Sequence, residues 1–84
     1  MITVDLRGGI RKSVGLPQIH LEIERINLDE IITYLAKRYS LSHEIKNNEI
    51  MVAINGIDSS ILGGGQARIS SGDIVTILTV VHGG

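Results

Sequence analysis

Gly72-Asp73-Ile74-Val75-Thr76-Ile77-Leu78-Thr79-Val80-Val81 sets a turn signal against eight strand-forming residues, and His82-Gly83-Gly84 follows. Six of those eight are apolar and two are threonine, a density expected of a central strand covered on both faces. Period-two alternation places Val75, Ile77 and Thr79 on one side and Thr76, Leu78 and Val80 on the other. Such a strand needs neighbours on both sides, and earlier segments of the chain offer them.

Those segments are readable. Ile2, Val4 and Leu6 alternate with polar residues, which predicts a first strand that Gly8-Gly9 ends or bends. Ser13 to Gln18 contains Gly15 and Pro17, the only proline, and reads as a loop. Ile19, Leu21 and Ile23 alternate with His20, Glu22 and Glu24, predicting a second strand, paired with the first as a hairpin and acidic on its solvent side.

Asn27 is placed to cap a helix, with Asp29 and Glu30 in its first turn where carboxylates complement the free N–H groups. Leu28, Ile31, Ile32, Leu35, Ala36 and Tyr39 form its apolar stripe, while Glu30, Thr33, Lys37 and Arg38 face water. Ser40 to Asn48 reads as a connecting loop anchored by Leu41 and Ile45. Ile50, Val52 and Ile54 predict a third strand, and Asn55-Gly56 a tight hairpin turn into a short fourth strand within Ile57 to Leu62. Gly63-Gly64-Gly65 opens a loop to Ser71; no Gly-Lys-Ser/Thr follows it and a strand comes next, which excludes a P-loop.

The order strand, strand, helix, strand, short strand, strand is an α+β pattern. One mixed four- to five-stranded sheet packed on one main helix buries both apolar faces together. The first and last strands are expected as parallel neighbours at its centre, the arrangement of a β-grasp.

Composition bounds the function. At 84 residues the chain is one small domain, 43% hydrophobic, with Tyr34 and Tyr39 its only aromatics, so Ile, Leu and Val must fill the core. A net charge of -1 gives no footprint for nucleic acid. Without cysteine there is no disulfide, thiolate metal site or thiol nucleophile. His20, His43 and His82 lack a ligand spacing, so no metal is expected. No stretch has the length of a membrane span, and the start does not read as a signal peptide, so a cytoplasmic location is expected; the protein is also expected to be a monomer. The aliphatic, cysteine-free composition is compatible with a thermophile.

The ending is a chemical handle. Gly83 and Gly84 lack a Cβ, which suits threading of a free carboxylate into a narrow active site. Residues 1–80 are read as the domain and 81–84 as a flexible tail, whose four extended residues would reach about 13–14 Å. His82 is either a contact within a partner or simply exposed.

Met51-Val-Ala-Ile-Asn-Gly-Ile-Asp58, Gly72-Asp73-Ile74-Val75-Thr76-Ile77-Leu78 and His82-Gly83-Gly84 resemble the ubiquitin-like sulfur carriers. Those families include the small subunit of molybdopterin synthase, the thiamine sulfur carrier, and the ubiquitin-related and small archaeal modifiers. His-Gly-Gly, Gly8-Gly9 and Asn55-Gly56-Ile57-Asp58 are most similar to the modifier branch. Ser59-Ser60 depart from the tryptophan and acid that this branch tends to carry, and Thr79-Val80 replace the diproline of cofactor-synthesis carriers.

The resemblance implies a protein substrate with no catalytic group and no bound cofactor of its own. An E1-like adenylating enzyme, using ATP and Mg²⁺, would activate the Gly84 carboxylate. A sulfur donor or tRNA-thiolation enzyme would then use it, or target-protein lysines would accept it; Lys12, Lys37 and Lys46 are candidates for chain formation. The resemblance also implies that Leu78 and Val80 stand on an uncovered sheet face and, with His82, meet the partner; the alternative is that Leu78 and Val80 are core. A dedicated carrier for molybdopterin or thiamine synthesis is the neighbouring reading. A non-reacting β-grasp binding module is the reading of another class.

Overall fold

The computed structural model describes residues 1–81. In chain order the elements are β1 (Ile2–Gly8), α1 (Gly9–Val14), β2 (Gln18–Leu21), β3 (Arg25–Asn27), α2 (Leu28–Arg38), α3 (Ser42–Asn47), β4 (Asn48–Ile54), β5 (Ile57–Asp58), β6 (Arg68–Ser70) and β7 (Ile74–Val81). Five strands form a mixed sheet in the order β2-β1-β7-β4-β5, and β3 pairs with β6 in a separate two-stranded ribbon. β1 and β7 run parallel, with Leu6 beside Ile77, and all other neighbours are antiparallel. That is the β-grasp order expected from the sequence.

The expected α2 forms because Asn27 and Glu30 close a capping box. The Glu30 N–H donates to Asn27 Oδ1 at 2.8 Å and the Asn27 N–H to Glu30 Oε1 at 3.2 Å. Leu28, Ile31 and Leu35 are buried while Ile32, Ala36 and Tyr39 sit half-buried at the margin of the stripe. They close over Ile2, Val4 and Leu6 of β1 and Val75 and Ile77 of β7 in one aliphatic core. Burying each such side chain contributes about 1.5–3 kcal/mol.

Several expectations need correction. β7 lies at the sheet's centre but is covered on one face only: Val75, Ile77 and Thr79 are buried, whereas Ile74 and Val80 are exposed. The apolar density therefore reflects a second, open face. The loop from Ser13 begins later, because Gly9–Val14 is helical and ends at Gly15, whose φ of 84° lets its N–H reach the Arg11 carbonyl at 2.9 Å. The loop at Ser40 to Asn48 contains α3; Leu41 and Ile45 do anchor it, but six polar-rich residues show no helical period. The second strand stops at Leu21, since Arg25–Asn27 leaves β1 to pair with Arg68–Ser70. The fourth strand is only Ile57–Asp58, followed by 3-10 turns at Ser59–Leu62 and Gly64–Gln66.

Two turns meet at the start of β7. Asn55 and Gly56 have φ of 50° and 81°, the left-handed pair that a two-residue hairpin needs. The Asn55 side chain donates to Asp73 Oδ1 at 3.0 Å and accepts from the Ile74 N–H at 2.9 Å, and Asp73 Oδ2 accepts from the Ser70 N–H at 2.8 Å. Asn55→Ala removes both side-chain bonds and puts a Cβ-bearing residue without local compensation at positive φ. It is expected to lower stability by about 1–2 kcal/mol, read as a lower urea midpoint with unchanged slope.

Candidate functional site: the end of the central strand

The end of β7 is held from three sides. β1 pairs Gly8 with Thr79, and β4 pairs Glu49 with Val80 and Asn48 with Val81. From the helix side, Thr79 is fully buried and its hydroxyl joins two further elements. It accepts from the Ile10 N–H of α1 at 2.6 Å and donates to Glu44 Oε1 of α3 at 3.1 Å. One hydroxyl is thus used in both directions, and the chain reaches Val81 from a braced position.

Gly8-Gly9 makes that bracing possible. Gly8 has φ of 69°, and a Cβ there would fall against the Thr79 carbonyl oxygen and 2.9 Å from Leu78 Cδ1. A Cβ on Gly9 would fall on the Glu44 carboxylate and 3.1 Å from Thr79 Oγ1. The glycine pair that ends β1 is therefore where α1, α3 and β7 come together.

Beside this end the open sheet face carries an apolar surface. Met51 is 54% and Val80 38% exposed, with Leu78 half-buried beside them, and Ile74, 47% exposed, continues the face at the start of β7. The register sets Arg7, Leu78 and Met51 in one row and Glu49 beside Val80 in the next. Of the predicted contact residues, the structure thus places Leu78 and Val80 together on this face. His82, Gly83 and Gly84 lie outside the described residues, and β7 itself extends through Val81. Lys12, Lys37 and Lys46 are exposed on three different helices. No three His, Asp or Glu side chains converge among the described residues, and no described helix is long and apolar enough to cross a membrane.

Sequence reasoning missed Glu44, Thr79 and Met51. The available signal was a hydroxyl at an inward position of an aliphatic strand, which requires a buried partner; nothing in the spacing pointed to Glu44 as that partner.

The chain from residue 4 to residue 84 matches the model of the ThiS family. The chain belongs to the ThiS family. A comparison with curated proteins returns no significant match. Among solved structures, Urm1 from Trypanosoma brucei aligns at a TM-score of 0.79 and 23% identity, over 99% of this chain and 94% of that one. Small archaeal modifier protein 1 from Methanosarcina acetivorans aligns at 0.76 and 23%, over 99% and 95%. CysO from Amycolatopsis orientalis, in its complex with BexX, aligns at 0.75 and 25% over the whole of both chains. The fold of this ThiS-family chain is therefore that of the ubiquitin-like sulfur carriers and modifiers.

The Ser59-Ser60 departure becomes a local cap. Asp58 Oδ1 accepts from the Ser60 N–H and from Ser60 Oγ, both at 2.9 Å. These bonds, the backbone one foremost, hold the exposed Asp58 carboxyl below the ordinary aspartate range. A depressed folded-state pKa means the cap stabilises the turn at neutral pH and is lost as pH falls through that lowered value. Following Asp58 by NMR should give a titration below that of an unstructured aspartate. Ser60→Ala should return it only partway, because the backbone donor remains.

Thr79→Val is expected to leave the buried Ile10 N–H unpaired and cost about 1–3 kcal/mol in chemical denaturation. Thr79→Ser should retain most of that stability.

Proposed function

We propose that this chain is a sulfur carrier and protein modifier that reacts at the Gly84 carboxyl and owns no catalytic group. The observation that carries the reading is the family match running through Gly84, on a chain whose last described strand is braced on three sides up to Val81. A carboxylate is ionised at neutral pH and is a poor electrophile, so activation comes first. In a partner's site, with ATP and Mg²⁺, the Gly84 carboxylate oxygen attacks the α-phosphorus and pyrophosphate leaves. The terminal sulfur of a partner persulfide then attacks the carbonyl, AMP leaves, and an acyl disulfide forms. A second partner thiol reduces that bond, releasing the Gly84 thiocarboxylate and leaving a disulfide on the partner. Attack by a cysteine thiolate instead gives a thioester that a target lysine amine can open.

On this reading the thiocarboxylate supplies sulfur for tRNA thiolation, the protein acts as a cytoplasmic monomer, and the Met51, Leu78 and Val80 face meets the adenylating enzyme. The complex of CysO with BexX supports a carrier that works on a dedicated partner. Carriage for molybdopterin or thiamine synthesis uses the same chemistry and differs only in which enzyme copurifies.

The test is intact-protein mass spectrometry after incubation with the host's adenylating enzyme, ATP and a sulfur donor. The expected product carries one sulfur in place of one oxygen at Gly84, and deleting Gly84 should abolish it. A gain that survives the deletion would overturn the proposal.

A further inference from the structure

The outer edge of β4 is only partly closed. β5 pairs with Ala53 and Ile54 alone, so Asn48 to Val52 has β7 on one side and no strand on the other among the described residues. The Asn55 N–H donates to the Ile74 carbonyl at 2.8 Å, which sets the phase of the antiparallel ladder. Residues at alternate positions from Asn55, namely Ala53, Met51 and Glu49, turn their backbone groups towards β7. Ile50 and Val52 turn theirs outward. Ile50 and Val52 therefore present two N–H and two C=O groups to the open edge.

A concavity of about 790 Å³ straddles this edge, with Arg7, Met51, Thr76 and Leu78 lining it from the open sheet face. Ile32 of α2, Ile45 of α3, and Ile50 and Val52 of β4 line its helix side, each half-buried. Asp29 and Asp58, both exposed carboxylates, also line it, and Arg7, its one exposed cation among the described residues, stands on the open-face side. Unpaired strand groups above an apolar groove are the two components of recognition by strand addition, in which main-chain bonds hold a segment and alternate side chains fill pockets.

A second copy of the chain fits this edge poorly. Pairing Ile50 with Val52 of a copy sets Glu49 opposite its Ala53, and pairing Ile50 with Ile50 sets Asn47 there. In both registers the outer side of Ala53 is already taken by Asp58. A short single segment avoids that collision.

We propose that the β4 edge binds an extended segment of a partner protein, with a lysine or arginine followed by apolar residues at alternate positions. The segment pairs antiparallel with Ile50 to Val52. Its apolar side chains enter the groove between β4 and the helices, and its basic residue lies against Asp29 and Asp58. The segment's pairing involves no group at Gly84, although Met51 and Leu78 border both this concavity and the open face.

The test uses the full-length isotope-labelled protein and the synthetic peptide acetyl-Lys-Thr-Ile-Thr-Val-amide, whose Lys, Ile and Val share one face, followed by NMR. The expected result is shift changes at the Ile50 and Val52 amides and at the Ile32 and Ile45 methyls, with cross-strand contacts in antiparallel order. N-methylation of the peptide amides that face β4 should weaken binding about tenfold or more. Replacing the peptide lysine by glutamate, or Asp29→Asn in the protein, should weaken it severalfold and reduce its salt dependence. Equal binding of the N-methylated peptide, shifts confined to Thr76, Leu78 and Val80, or self-association of the protein through β4 would each overturn the proposal.

Discussion

The parallel pairing of β1 with β7 is the constraint on which the rest depends. It joins the first and last described strands, so neither half can complete the sheet alone, and it places Val4 and Leu6 beside Val75 and Ile77 in the core. Parallel neighbours need a crossover between them, and here nearly the whole chain serves as that crossover. The helix α2, the hairpin of β4 and β5 and the small β3–β6 ribbon all lie between the two strands. The pairing ends at Gly8 and Thr79, where the backbones approach too closely for any side chain at position 8.

Each end of β7 is fastened by a different device. At its start, Asn55 and Asp73 exchange side-chain bonds with the backbone of the neighbouring turns, and the Gly72 N–H donates to the Met1 carbonyl at 2.8 Å. The N-terminal ammonium also bonds Ser71 Oγ. At its end, the Thr79 hydroxyl gathers α1 and α3. A strand secured in this way fixes the position and direction of the chain up to Val81, while its open face carries Ile74, Leu78 and Val80.

Much of this was legible in the residues. Alternation in Ile2 to Leu6, the stripe from Leu28 to Tyr39 and the Asn55-Gly56 turn each rest on local geometry, and each forms where expected. α1 and α3 were not legible, because six residues hold fewer than two turns and their stability comes from Ile10, Leu41 and Glu44 meeting distant partners. The ribbon of β3 with β6 was equally hidden, since three-residue strands separated by about forty positions carry no local signal of their pairing.

The sequence by itself determined the order of the main strands around α2, the aliphatic core and the cap of that helix, because these follow from period, propensity and composition along the chain. Only the tertiary structure decided that β7 is covered on one face, that Thr79 is braced by Ile10 and Glu44, and that β4 keeps an open edge beside an apolar groove. Those outcomes depend on which segments arrive next to one another. The same apolar run suits a strand covered on one face or on two, and only the layer packed against it distinguishes them.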